Sequence, residues 1–264
     1  MTPRYLVAFD MDGTLLDSHR HLPEGFKPWV LSHPQFQVVI ASGRQYEKLL
    51  RDFADIQDRI VFICENGAFV TYRGKTLSES RLPKDDVHLI KDIYEQHPDV
   101  NGILCSAHAA YIRTNESLYR EAAHFYGVLK QVEDTDAIID SQPIIKVAIY
   151  SHDSKVSQSY YRNLPSHLKP VISGREWIDV ALRDANKGNA YRIVQNAFSI
   201  SRENSYAFGD QFNDEELLLA CEESYCMKNG ADGMKAIAKH VTEYTNDENG
   251  VLRELEKIVN QKEL

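Results

Sequence analysis

Asp10-Met11-Asp12-Gly13-Thr14 puts two carboxylates into a tight glycine-containing turn directly after the apolar run Tyr5–Phe9. In an open parallel sheet helices cover both faces, so the carboxyl tips of the strands are where polar groups are free to meet a ligand. Ser42-Gly43-Arg44 ends a second run, Val38-Val39-Ile40-Ala41, at the expected start of a helix. A hydroxyl beside free backbone N–H groups at such a place suits a phosphate. Lys187-Gly188 opens another helical pattern, where a cation opposes the helix dipole unless an anion lies near. Gly209-Asp210-Gln211-Phe212-Asn213-Asp214 follows the run Ser205–Phe208 and again sets carboxylates at a strand tip.

Each segment alone has an ordinary reading: an Asp-Gly turn, a serine helix cap, a surface lysine, a capped turn. A calcium loop is excluded, because Leu15 holds the sixth position, where that loop needs glycine. Convergence at one sheet edge is what the turn readings leave unexplained. Gathered carboxylates raise one another's pKa unless a cation shares the site. Hard oxygen ligands favour Mg²⁺ over zinc, which would want His or Cys. His19-Arg20-His21 is a close His pair with no third ligand nearby, and reads as a solvated loop. Phosphate-ester hydrolysis fits these parts. It is slow enough to call for accelerations of up to about 10²¹-fold, beyond what a carboxylate nucleophile, a metal or a lysine supplies singly.

The elements that position these residues alternate as in a parallel sheet with crossover helices. Tyr5–Phe9, Phe36–Ala41 and Ile60–Cys64 read as strands, and Tyr46, Leu49, Leu50 and Phe53 form a helical stripe. Phe69–Tyr72 and Lys75–Leu77 read as a hairpin around Arg73-Gly74. Leu82-Pro83 breaks the rhythm, and an α+β order follows until about Asp184, with Ile144–Tyr150 a strong strand and Trp177–Leu182 the last piece. After Lys187 the alternation resumes. The expected fold is α/β: a Rossmann-like, three-layer parallel-sheet core of residues 1–82 and 187–264, discontinuous around an inserted α+β cap of residues 83–186.

At 264 residues the chain is long enough for a full core and a smaller second unit. A formal charge of -9 without a dense Lys/Arg block argues against a nucleic-acid partner. No apolar run approaches the roughly 18 residues of a membrane span. Met1 is followed at once by the expected first strand, so no secretory leader is expected. Cys64, Cys105, Cys221 and Cys226 show no C-x-x-C pairing, so a reducing, cytoplasmic setting is expected. The expected partner is a small phosphorylated metabolite, and the expected assembly a monomer or homodimer.

In order and spacing, Asp10-Met11-Asp12-Gly13-Thr14, Ser42-Gly43-Arg44, Asn66-Gly67, Lys187-Gly188 and Gly209-Asp210 with Asn213-Asp214 resemble the motifs of the haloacid dehalogenase superfamily. The long gap between the Ser42 and Lys187 motifs is similar to its Cof-type subgroup, whose large cap is inserted there. The resemblance implies that Asp10 attacks phosphorus to form an aspartyl-phosphate, while Asp12 protonates the leaving alcohol and then activates water. It implies Mg²⁺ on the Asp10 carboxylate, the Asp12 carbonyl and Asp210, supported by Asp214. Ser42, Lys187, Asn213 and the backbone at Met11 and Gly43 would cradle the phosphate, and Asn66-Gly67 would shape the floor.

One stretch departs from that pattern. Members commonly carry Gly-Val-Ala-Met-x-Asn-Ala after the acidic motif, where this chain has Ser224-Tyr225-Cys226-Met227-Lys228-Asn229-Gly230. Bulky Tyr225 and the missing glycine are expected to change packing near the metal site. The alternatives are a phosphomutase or phosphotransferase using the same aspartyl-phosphate, and a non-catalytic regulator that binds a phospho-ligand. His108, Tyr111, Arg113 and Lys146 in the insertion are polar candidates for reading the leaving group.

Overall fold

The computed structural model describes residues 3–151, 153–173 and 175–261, so Met1 and the end of the expected core lie outside the described residues. The first stretch forms β1 (Tyr5–Phe9), α1 (Phe26–Ser32), β2 (Phe36–Ala41), α2 (Tyr46–Phe53), β3 (Ile60–Cys64), β4 (Phe69–Tyr72) and β5 (Lys75–Glu79). The middle forms α3 (Lys84–Glu95), β6 (Val100–Cys105), β7 (Ala110–Ile112), α4 (Glu116–Ala123), β8 (Leu129–Gln131) and α5 (Thr135–Ser141), then β9 (Lys146–Ser151), α6 (Ser154–Ser157), β10 (Leu168–Ile172) and β11 (Trp177–Leu182). The last stretch adds α7 (Lys187–Phe198), β12 (Ser205–Gly209), α8 (Glu215–Leu219), β13 (Glu223–Cys226), α9 (Asp232–Ile237), β14 (His240–Val241) and α10 (Gly250–Gln261).

One compact unit comprises Met1–Gly43, Phe53–Ser78 and Asn186–Leu264. Its sheet runs β14-β13-β12-β1-β2-β3-β4-β5 and is parallel from β14 through β3, with β4 returning antiparallel. The runs in β1, β2 and β3, apolar apart from Gln37 in β2, follow from burial on both faces. Leu6, Ala8, Val39 and Ile63 on one face meet Ala190, Tyr191, Val194 and Leu217 from the following helices. On the other face Phe9 packs edge-on against Phe26 of α1 at 5.3 Å. The Arg73-Gly74 turn has φ of 50° and 70°, the left-handed pair that a tight hairpin needs.

The other unit comprises Arg44–Asp52 and Glu79–Ala185. Its sheet runs β10-β11-β9-β6-β7-β8, antiparallel except between β7 and β8. Residues 44–52, expected within the core, group here for a polar reason. The Gln45 side chain accepts from the N–H groups of Gly127 and Val128, each at 2.8 Å, and Lys48 Nζ donates to the His124 carbonyl at 2.9 Å.

The sheet alternation also separates the polar candidates of this unit. Tyr111 is buried in the cluster that contains Val87, Ile90 and Ile139 of the helices, and Arg113 pairs with Glu95 at 3.0 Å. Lys146 stands on the opposite face, 3.4 Å from Asp179, and both are buried. His108 bonds Glu47 at 2.7 Å. The four candidates do not form one constellation. Among the described residues no helix is long and apolar enough to cross a membrane.

Candidate active site

The parallel pairing of β1 with β2 and with β12 brings their carboxyl tips level, since Phe9 is opposite both Ile40 and Phe208. Asp10 therefore leaves the sheet beside Asp210, and the Asp10 N–H donates to the Phe208 carbonyl at 3.0 Å. α7 begins at Lys187 behind an Asn186 cap whose side chain accepts from Asn189 N–H at 2.8 Å. Fully buried, Lys187 donates from Nζ to Asp10 Oδ1 at 2.5 Å and to Asp214 Oδ1 at 2.6 Å. The anion that a helix-start lysine needs is thus supplied twice.

The second oxygen of Asp214 accepts from the N–H groups of Asp210 at 3.0 Å and Gln211 at 3.2 Å, folding the 210–214 turn around one carboxylate. A side chain on Gly209 would meet the Asp214 Cβ at 2.6 Å, which is why glycine precedes the turn. Thr14 Oγ1 donates to Asp210 Oδ1 at 2.9 Å. Gly13, at φ +82°, lets the loop pass so close that a Cβ there would stand 2.5 Å from Asp210 Oδ2.

Electrostatics follow from this crowding. Burial, then the Asp214 charge, raises the Asp10 carboxyl well above the usual range, and Lys187 only partly offsets them. The same two causes push Asp210 up to about 6. Burial opposes the Lys187 ammonium, but the charges of Asp10 and Asp214 overcome it and hold its proton more tightly than in a free lysine. Ligand oxygens of Asp10, Asp210 and Asp214 lie within 4.8 Å of one another. Three buried carboxylates facing one ammonium leave excess negative charge, and an all-oxygen donor set of this kind fits a hard divalent cation.

Ser42 is buried at the tip of β2 but does not begin a helix, which corrects the sequence reading. Its N–H donates to the Ile63 carbonyl at 2.9 Å and its carbonyl accepts from Asn66 N–H at 3.0 Å, so its backbone is spent sideways. The Gln45 carbonyl opens α2 instead, accepting from Lys48 and Leu49. Asn66 has φ of 54° and accepts at Oδ1 from Asn213 Nδ2 at 3.2 Å. A Cβ on Gly43 would lie 3.0 Å from Asn66 Nδ2, and one on Gly67 would overlap the Asn186 carbonyl. These glycines let Asn66 and the start of α7 approach the site.

Met11 is buried, whereas Asp12 is exposed and its carboxylate stands outside the cluster of three. The sequence reading assigned no role to the Thr14 hydroxyl or the Asn186 cap. The Asp-Gly-Thr and Asn-Lys-Gly strings were the available signals. Tyr225 does not crowd the carboxylates: its ring stacks on Phe208 at 4.6 Å and on His240 at 4.7 Å. Gly230 answers the larger Cys226, because a Cβ at 230 would meet Cys226 Sγ at 2.7 Å.

A sequence profile of haloacid dehalogenase-like hydrolases matches residues 7–255. The chain belongs to that family. As a haloacid dehalogenase-like hydrolase it is 28% identical over 262 residues to the 5-amino-6-(5-phospho-D-ribitylamino)uracil phosphatase YbjI of Escherichia coli, covering 96% of each chain. It is 27% identical over 270 residues to the Bacillus subtilis protein YitU, which carries the same description, covering 97% of this chain and 98% of YitU. The crystal structure of SMU.1108c from Streptococcus mutans superposes on this hydrolase with a TM-score of 0.85 and 24% identity, over 98% of this chain and 100% of the other, and shares its fold.

Proposed function

We propose that this hydrolase is a Mg²⁺-dependent phosphatase acting on a small phosphorylated metabolite through an aspartyl-phosphate on Asp10. The observation that carries the reading is the meeting of Asp10, Asp210 and Asp214 around the buried Lys187 ammonium. The substrate class is a sugar phosphate or a phosphorylated cofactor, with the phosphorylated ribitylaminouracil named for the two relatives as first candidate.

Mg²⁺ would be held by the Asp10 carboxylate, the Asp12 carbonyl and Asp210, with Asp214 steadying Asp210 through its N–H; when bound it neutralises charge on the phosphoryl oxygens. Asp10 attacks phosphorus, forming a carboxyl O–P bond as the ester P–O bond breaks. Asp12 gives its proton to the departing alkoxide, then takes one from the water that releases phosphate and restores Asp10. Lys187, held by Asp10 and Asp214, keeps the nucleophile oriented and places positive charge beside the phosphoryl oxygens. Ser42, Asn213 and the backbone N–H groups at Met11 and Gly43 cradle those oxygens.

The test is hydrolysis of 4-nitrophenyl phosphate with Mg²⁺ and after chelation, for wild type and Asp10→Asn. Metal-dependent release by wild type and none by the variant are expected. Equal rates for the two proteins would remove Asp10 as nucleophile.

A further inference from the structure

The loop that carries Asp12 is gripped by side chains that no step above uses. Asn229 donates from Nδ2 to the Gly13 carbonyl at 2.7 Å and accepts at Oδ1 from the Asn246 N–H at 3.1 Å. A carbonyl only accepts and an N–H only donates, so these partners fix which way the amide faces. Asn246, itself buried, donates from Nδ2 to the Leu16 carbonyl at 2.9 Å. Asp247 Oδ1 accepts from the Ser18 N–H at 2.7 Å. Backbone positions 13, 16 and 18 are thereby held from a segment more than two hundred residues away in sequence.

Asp10 is fixed differently, by Lys187. Exposed Asp12 lies outside the carboxylate cluster and is joined directly to Gly13, so the course of this loop bears on where its carboxyl stands. A proton donor works within about 2.6–3.2 Å of the leaving oxygen. Displacement by about 1 Å can cost on the order of 10²-fold in rate.

We propose that Asn229, backed by Asn246, is a positioning residue for Asp12, holding the Gly13 carbonyl so that the carboxyl meets the leaving oxygen. The inference rests on the acid–base role given to Asp12 above. It has a signature that general loosening of the fold lacks. An alkyl ester needs its leaving oxygen protonated, whereas 4-nitrophenolate departs without a proton, so losing the grip penalises the alkyl ester selectively.

Asn229→Asp keeps the acceptor for Asn246 but turns an oxygen toward the Gly13 carbonyl; Asn229→Ala removes both bonds. Wild type and both variants are assayed for kcat/KM on ribitol 5-phosphate and on 4-nitrophenyl phosphate, with melting temperatures recorded. The expected result is a fall of at least about tenfold in the alkyl-to-aryl ratio for each variant that folds, at a melting temperature close to wild type. An unchanged ratio, whether both rates drop together or neither does, overturns the inference alone. A wild type inactive on both esters overturns the phosphatase reading and the inference with it.

Discussion

Lys187 and Asp214 meet at 2.6 Å with neither side chain reaching solvent, and the same ammonium holds Asp10. Such a cation cannot be removed cheaply, because two buried carboxylates are left without their partner. For Lys187→Met we expect a loss of about 3–5 kcal/mol in the metal-free protein, read from chemical denaturation. Turnover with Mg²⁺ should fall at least about 10²-fold, as for other preorganised charge stabilisers. Unchanged stability and turnover would make the lysine a bystander.

In the proposed reaction metal and proton would compete for Asp210. Its carboxyl is pushed up to about 6 in the fold, against about 3.9 in an unfolded chain. Between those values the folded state keeps a proton that the unfolded state has released, so rising pH weakens the metal-free fold through that window, and the deficit persists above it. Mg²⁺ would take the place of the proton. The rise in melting temperature on saturation with Mg²⁺ should therefore be larger at about pH 7.5 than at about pH 5. Equal gains would disprove the competition.

Cys226 and Gly230 share one space. In Gly230→Ala the new methyl meets Cys226 Sγ at 2.7 Å and the Met227 carbonyl at 2.9 Å, so a cost of about 1–3 kcal/mol is expected. Cys226→Ala clears the nearer contact, and the double variant should recover part of that loss in a double-mutant cycle. Strict additivity would show that the two positions are independent.

Gly67 permits the close passage of β3's following turn against the start of α7. At φ +103° an alanine is strained by about 1–3 kcal/mol before its overlap with the Asn186 carbonyl is counted. Gly67→Ala should lose both stability and the Asn186 cap, detected as faster amide exchange at Asn189. Protection like that of wild type would refute this account.

Much of the site was readable because strand tips announce themselves. β1, β2 and β12 are apolar runs that end in Asp10, Ser42 and Asp210, and parallel pairing makes such ends neighbours. Less legible was anything decided by side chains reaching across the chain. Gln45 binding Gly127 and Val128 moves 44–52 out of the expected core, and Ser42 spends its backbone on Ile63 and Asn66 instead of opening a helix. Periodicity reports burial, not partners. β8 and β14, of three and two residues, are too short to leave an alternation at all.

The sheet order has a consequence for how the protein is made. β1 precedes both β2 and β12 in the chain but lies between them, so one flank stays open until the ribosome reaches residues 205–209. Until then an apolar strand edge is available to other nascent chains, a recognised hazard for parallel sheets. Asp10 also waits for the charges that surround it, since Lys187, Asp210 and Asp214 are all translated late. Asp10 is thus translated long before the groups that set its electrostatics are in place.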